Sequence, residues 1–370
     1  MPLVSGIRAV ARAAGGAALA ALLACGSSSK TPSSLPAGPA SPAVTVSAQP
    51  DGWEGLPASP LSPGQSRHED LTFIDADNGW LVNARGEVHA THDGGVTWAR
   101  LAVLAGVPLR CVGFASLSKG WAGNLNATAG HIAPDAALWE TVDGGASWTN
   151  ISSRLTGATV VGLCGMRVAS PSLIVAVGRW NGPAVFVKSV DGGRSWTSRS
   201  MEPLVHGLVD VFFFNEREGF AVGAQGDGTS DTDQRTARAV VLATVDGGDT
   251  WEVRYVSAGT GQRSWKIQFV TDRIGFVTTE GPAAEGVVLK TVDGGATWRP
   301  MPVSAGREFQ AVGFIDSDRG WVASFDTLYS TTDGGATWKM LAFGRLVNRM
   351  RVVNESLVYA CGDRVYRWRR

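Results

Sequence analysis

The chain has 370 residues, 44% of them hydrophobic and 18% charged, which is ample apolar content for a sizeable core. Lysine plus arginine equals aspartate plus glutamate at 33 each, so no global charge favours a polyelectrolyte, and no nucleic-acid partner is expected. The five histidines and four cysteines form no metal-ligand spacing; His89 and His92, three apart on a strand, face opposite ways, so neither a metal nor a cofactor is expected.

Arg8 and Arg12 precede a short apolar run, Ala13 to Ala24, that ends Leu22-Leu23-Ala24-Cys25. This is the pattern of a bacterial lipoprotein signal, with Cys25 as the lipidated first residue of the mature protein. Residues 1–25 are therefore expected to be signal peptide and lipobox. The protein would then sit in the cell envelope, touching the membrane only through its lipid and facing the periplasm or the exterior. Residues 26–50 are rich in Ser, Pro and Ala with one charge, Lys30, and read as a disordered tether.

From residue 51 to the end, two phrases alternate. The first, F-x5-G-[WF], occurs as FIDADNGW from Phe73, FASLSKGW from Phe114, FFNEREGF from Phe213, FVTDRIGF from Phe269 and FIDSDRGW from Phe314. It reads as strand, polar turn, strand. A looser copy aligns Met166 with the Phe and needs a two-residue insertion. The second phrase, [ST]-x-D-G-G-x-[ST]-W, occurs six times, with aspartates at Asp93, Asp143, Asp191, Asp246, Asp293 and Asp333. Asp-Gly-Gly between β-prone residues is a hairpin turn, because glycine takes positive φ freely and the carboxylate accepts turn amides. A carboxylate used identically in every repeat meets a need that every repeat shares, so these aspartates are expected to be structural.

The box aspartates stand 50, 48, 55, 47 and 40 residues apart, a propeller period. Each unit is strand a, turn, strand b, loop, strand c, box, strand d. A seventh unit, VVNESLVYACG from Val352, reaches no box, while Asp51-Gly52-Trp53-Glu54-Gly55-Leu56-Pro57 imitates a box end with its outgoing strand. The expected fold is all-β: a seven-bladed β-propeller of four-stranded antiparallel blades over 51–370, its last blade closed by an N-terminal strand that hides two sheet edges.

On these residues the chain resembles the Asp-box, or bacterial neuraminidase repeat, proteins. With F-x5-G-[WF] and the lipoprotein N-terminus it is similar to the photosystem II stability/assembly factor family, over residues 51–370. The resemblance implies a propeller that binds partner proteins without catalysis, using an arginine-rich patch in photosynthetic members.

Catalysis is not expected. The Arg-triad and Tyr–Glu machinery of sialidases is missing, and of the four tyrosines Tyr329, on strand c before a box, and Tyr359, on strand b, sit where packing explains them. Asp70 and Asp210, each three residues before a strand-a Phe, are the candidate acid pair of the alternative reading, a propeller glycoside hydrolase (sialidase- or xyloglucanase-like) or a glycan-binding protein. Asp227, Asp231 and Asp233 lie in a polar loop whose spacing fits no standard calcium loop.

Strand alternation puts the a–b turns and the boxes on one face, rich in acids, and the b–c loops and d–a connections on the other. Arg110, Arg263, Lys266, Arg307, Arg345 and Arg349 are assigned to the d–a connections. They are expected to form an exposed basic surface on a monomer, binding a protein partner through an acidic segment, or an anionic glycan. Cys111 and Cys164 fall on neighbouring strands a with positions offset by one, which favours free thiols over a disulfide.

Overall fold

The structure is a computed structural model and describes residues 44–47, 52–62, 66–125, 136–202, 204–226, 235–281, 285–305 and 308–370. The chain divides into two units, Met1–Ala40 and Ser41–Arg370, and the described residues all belong to the second. Cys25, Arg307 and the acidic trio Asp227, Asp231 and Asp233 lie outside the described residues.

Seven antiparallel four-stranded sheets follow one another, as expected. Their innermost strands, in blade order, are His68–Phe73, Leu109–Phe114, Gly165–Val168, Gly207–Phe213, Arg263–Phe269, Ala311–Phe314 and Arg349–Asn354. Each packs on the next and the last packs on the first, so the ring is closed around a central channel. Closure uses the predicted device: Trp53–Gly55 pairs antiparallel with Val365–Arg369 as strand d of blade 7. Trp53 is buried and meets Trp321 of blade 6 edge-on at 5.6 Å. Two blades gain a fifth, parallel outer strand. Leu155–Gly157 covers strand d of blade 3, and Val44–Ser47, expected to lie in the tether, pairs with Trp338–Leu341 of blade 6.

The F-x5-G phrase has a steric cause. Phe73 pairs in register with Gly79 across the a–b hairpin, and its ring lies where a Cβ on Gly79 would be, 2.5 Å away. The same holds for Phe114 over Gly120, Phe213 over Gly219, Phe269 over Gly275 and Phe314 over Gly320. In blades 1, 2, 5 and 6 the ring folded over its own hairpin then meets the strand-b aromatic of the preceding blade, whereas Phe213 of blade 4 meets Phe186 of a strand c. Phe114 lies 3.7 Å from Trp80, Phe314 lies 3.6 Å from Phe276, and Phe73 lies 3.8 Å from Tyr359 across the closing seam, all nearly parallel.

Blade 3 corrects the alignment made from sequence. Val168 pairs with Ile174, and Ala169 N–H donates to Leu173 O as Ile74 N–H donates to Asn78 O, so Val168 holds the Phe position with no insertion. The Phe position is thus Val168 and not Met166, which the sequence pattern alone suggests.

The boxes share one hydrogen-bond pattern. In blade 5, Thr291 Oγ1 donates to Asp293 Oδ1 at 2.8 Å and accepts from the buried Gly295 N–H at 2.9 Å. Asp293 also accepts the Thr297 amide and hydroxyl, and side-chain hydrogen bonds from Thr297 chiefly hold its carboxyl down at about 2. Gly294 and Gly295 take φ of 74° and 84°, which L side chains rarely adopt. The second glycine also packs on the preceding blade, where a Cβ would meet Phe220 at 2.4 Å. Cys111, Cys164 and Cys361 are free and buried.

The threonine, rather than the aspartate, satisfies the buried turn amide. Thr291→Val keeps the shape and strands Gly295 N–H, so denaturant melts should show a loss of about 1–3 kcal/mol. An unchanged midpoint would remove the structural role assigned to the box.

Candidate functional site

Side chains one and three residues before the Phe position share a face of strand a, and that face lines the channel. The inner ring, three before, includes Asp70 (blade 1), Asp210 (blade 4), Lys266 (blade 5) and Arg349 (blade 7); the outer ring, one before, includes Arg167 (blade 3), Phe212 (blade 4), Gln268 (blade 5) and Arg351 (blade 7). Outer means nearer the a–b turns and boxes.

Arg349 ties three blades together. Its Nε donates to Asp70 Oδ1 at 2.9 Å, while Nη1 and Nη2 donate to Asp210 at 2.7 and 3.0 Å. All three residues are buried. Burial pushes the Asp210 carboxyl up, but Arg349 and then Lys266 bring it down to about 2. Burial alone would depress the guanidinium of Arg349; Asp210 and Asp70 hold it above its ordinary value. Backbone amides add to both carboxylates: Asp70 Oδ2 accepts from Val112 N–H at 3.1 Å, and Asp210 Oδ2, already bonded to Arg349, also accepts from Ile267 N–H at 3.2 Å.

Above this bridge the balance turns positive. Arg351 donates to Leu71 O at 2.9 Å and to Asp70 at 3.2 Å. Lys266 is 2% exposed and makes no ion pair among the described residues; its Nζ lies 5.6 Å from the ring of Trp265. Burial, then the charge of Arg349, lowers its amine to about 7. The Arg167 guanidinium lies over the ring of Phe212 at 4.3 Å, with its buried Nε unpartnered among the described residues. Burial and the charge of Arg351 bring it down to about 10. Four cations, Arg167, Lys266, Arg349 and Arg351, thus face two carboxylates, Asp70 and Asp210.

Two cavities open here, of about 400 and about 200 Å³, and both are lined by Arg167 and Arg351. The larger reaches Ile74, Ala115 and Pro171 at the start of the a–b turns, so the well opens toward the boxed face. At the other end the channel is plugged. Trp265 Nε1 donates to Asn348, Asn348 donates to Glu69 O, Arg110 pairs with Glu69 and covers Trp265, and Arg67 donates to Gln310. Burial would raise the Glu69 carboxyl, but Arg110 and Arg67 outweigh it.

The expected basic surface is therefore corrected. Arg110, Arg263, Lys266 and Arg349 belong to strand a rather than to the d–a connections, and all are buried. β-Bulges between Leu109 and Cys111 and between Ser264 and Ile267 re-aim the chain at Arg110 and Lys266. Arg263 packs over Trp180 at 4.9 Å, and of the five that are described only Arg345 is exposed. Asp70 and Asp210 are neither solvated nor a free acid pair, because Arg349 bridges both and Arg351 also pairs with Asp70. Sequence reasoning missed Arg167, hidden by the two-residue misalignment in blade 3, and Glu280. Burial, then the charge of Glu308, raises Glu280 to about 7 while Gln310 donates to it at 3.1 Å.

The fold and the site define a class: a seven-bladed propeller of Asp-Gly-Gly boxes whose channel is blind at one end and cationic at the other. No protein-family model matches the chain, and no curated protein matches it. Among solved structures it is similar to YCF48 bound to D1 peptide (TM-score 0.62, 17% identity, 89% of this chain and 100% of that one). It is likewise similar to YCF48 from Cyanidioschyzon merolae (0.63, 19%, 86% and 99%). The Niastella koreensis GH74 enzyme matches at 0.57 with 16% identity over 80% of this chain and 50% of that one. At these identities the likeness is one of fold.

Arg349→Met removes the cation that bridges two buried carboxylates, leaving Asp210 without an ion pair among the described residues and Asp70 with Arg351 alone, and should cost about 3–5 kcal/mol near neutral pH. The loss should shrink as pH falls and protons replace the missing cation, whereas adding Asp70→Asn and Asp210→Asn should recover stability at all pH values. A single variant that melts like wild type at neutral pH would remove the bridge from the core energetics.

Proposed function

We propose that this chain is a non-catalytic, lipid-anchored propeller that serves as a protein-binding or assembly module outside the cytoplasmic membrane, its partner placing an anionic group in the channel well. The observation that carries the reading is Arg167: a guanidinium laid over Phe212 with an unpartnered Nε, lining both cavities of a well with more cations than carboxylates. An arginine fork without a carboxylate is preorganised for one arriving from outside. Around the well the boxed face carries exposed acids, among them Asp75, Asp77, Glu216, Glu218, Asp316 and Asp318. The fitting partner has an acidic tip flanked by neutral or basic residues. The structural likeness to YCF48 bound to D1 peptide supports a protein partner, and this placement replaces the basic face on the d–a side.

The competing reading is a glycoside hydrolase, supported by the shared fold of the GH74 enzyme. Its expected acid pair, Asp70 and Asp210, is occupied by Arg349. Turnover of a β-glucan or sialoside panel that Glu280→Gln abolishes would favour it over the binding module.

Arg167→Glu reverses the one channel arginine that makes no ion pair among the described residues. It should abolish crosslinked capture of the envelope partner while circular dichroism and melting stay unchanged, and capture at wild-type affinity would overturn the placement. Anchoring is checked separately: Cys25→Ala should release the protein from membranes or leave the precursor uncut, and normal processing with unchanged membrane fractionation would sink it.

A further inference from the structure

We propose that the well is a proton-coupled oxyanion site: a carboxylate or sulfate-like group held between Arg167 and Lys266 enters together with a proton that Lys266 takes up. The proposal rests on the reading that the well receives the partner's anionic group, and it adds that occupancy depends on the protonation of one lysine.

The geometry leaves Lys266, with Arg167, without an ion pair among the described residues of the channel. The two nearby carboxylates are already committed, Asp210 to both Nη atoms of Arg349, and Asp70 to Arg349, Arg351 and the Val112 amide. The charged and titratable groups around Lys266 come from every side. They are Arg349 from blade 7, Asp210 from blade 4, Asp70 and Glu69 from blade 1, Arg110 from blade 2 and the buried Cys164 thiol at the entry to blade 3. On its own strand the neighbour is the indole of Trp265. Glu69 is consumed by Arg110 and Arg67, and Asp210 and Asp70 only partly offset Arg349 and Arg110. In a site this dry the ammonium therefore competes with the neutral amine near pH 7.

An oxyanion in the smaller cavity would change that balance. Arg167, Lys266, Arg349 and Arg351 all line it, and Gln268 is no competitor because its amide is tied to Phe314 O and Phe314 N–H. The arriving charge stabilises the ammonium and raises the amine above its value in the empty well. The amine of the empty site binds one proton from solvent, the anion binds the ammonium, and no covalent bond forms or breaks. The sign follows from linkage. Below about pH 7 the lysine is already charged, so affinity is flat and no proton enters. Above it, affinity falls toward about tenfold per pH unit, with close to one proton taken up per anion, until the occupied site itself deprotonates.

The test is calorimetric titration of the full chain with sodium sulfate and, separately, sodium succinate, neither of which titrates above about pH 7. Each is run near pH 8 in two buffers of different ionisation enthalpy, and again near pH 6. The expected result is uptake approaching one proton near pH 8 and little near pH 6, with uptake lost in Lys266→Met and binding itself lost in Arg167→Gln. Succinate binding without sulfate binding would assign the site to carboxylates; binding of both would assign it to oxyanions generally. The proposal is overturned if wild type binds neither probe, if binding near pH 8 takes up no proton, or if Lys266→Met retains the uptake. Partner capture that survives such a failure would leave the docking reading standing and remove only the proton coupling.

Discussion

The structure depends on one contact, a phenylalanine ring laid over the glycine opposite it in the same hairpin and stacked on an aromatic of the blade before. The glycine makes room, the ring fills it, and the ring's outer face becomes the surface on which the neighbouring blade lands. A Cβ on the glycine would force the ring away and separate two blades at once. Repeated in blades 1, 2, 4, 5 and 6, and joined across the closing seam by Phe73 on Tyr359, the contact helps set the spacing of the blades and hence the width of the channel. The boxes add a second tie, with Gly295 against Phe220 and Trp80 Nε1 donating to Gly144 O across neighbouring blades.

A channel of set width decides the electrostatics. Strands a converge closely enough for Arg349 to reach carboxylates of two other blades, and with Arg351 also on Asp70, Arg167 and Lys266 are left without an ion pair among the described residues. The bridge is thus a structural clasp and also the reason the well above it is positive. The lattice of Trp265, Arg110, Glu69 and Asn348 seals the far end, so an arriving group has one direction of approach, across the acidic boxed face.

Much of this was legible in the sequence because the two phrases encode local geometry. Asp-Gly-Gly reports a turn, Phe-to-Gly spacing reports a hairpin, and Asp51 to Pro57 reports a borrowed strand; none needs long-range information. The site was illegible where geometry departs from simple alternation. Arg110 and Lys266 sit at bulges near the start of strand a, where a connection and a strand are hard to tell apart from sequence. In blade 3 the Phe is replaced by Val168 and the Gly by Ile174, so the phrase loses both marks and the register slips by two, concealing Arg167. Nor can spacing show that Asp70, Asp210 and Arg349, from blades 1, 4 and 7, meet at one point.

The closing strand carries a consequence for how the molecule is made. Glu54 and Arg367, which hydrogen-bond across the seam, stand 313 residues apart, so this pairing cannot form until nearly the whole chain is available. Contacts between distant segments carry a loop-closure cost before they return any stability. Blades can therefore accumulate one by one as the chain emerges, each resting on the last, while the first blade keeps an open side. That unfinished ring exposes strand edges to other chains, and its lifetime sets how long the protein is vulnerable to aggregation during synthesis.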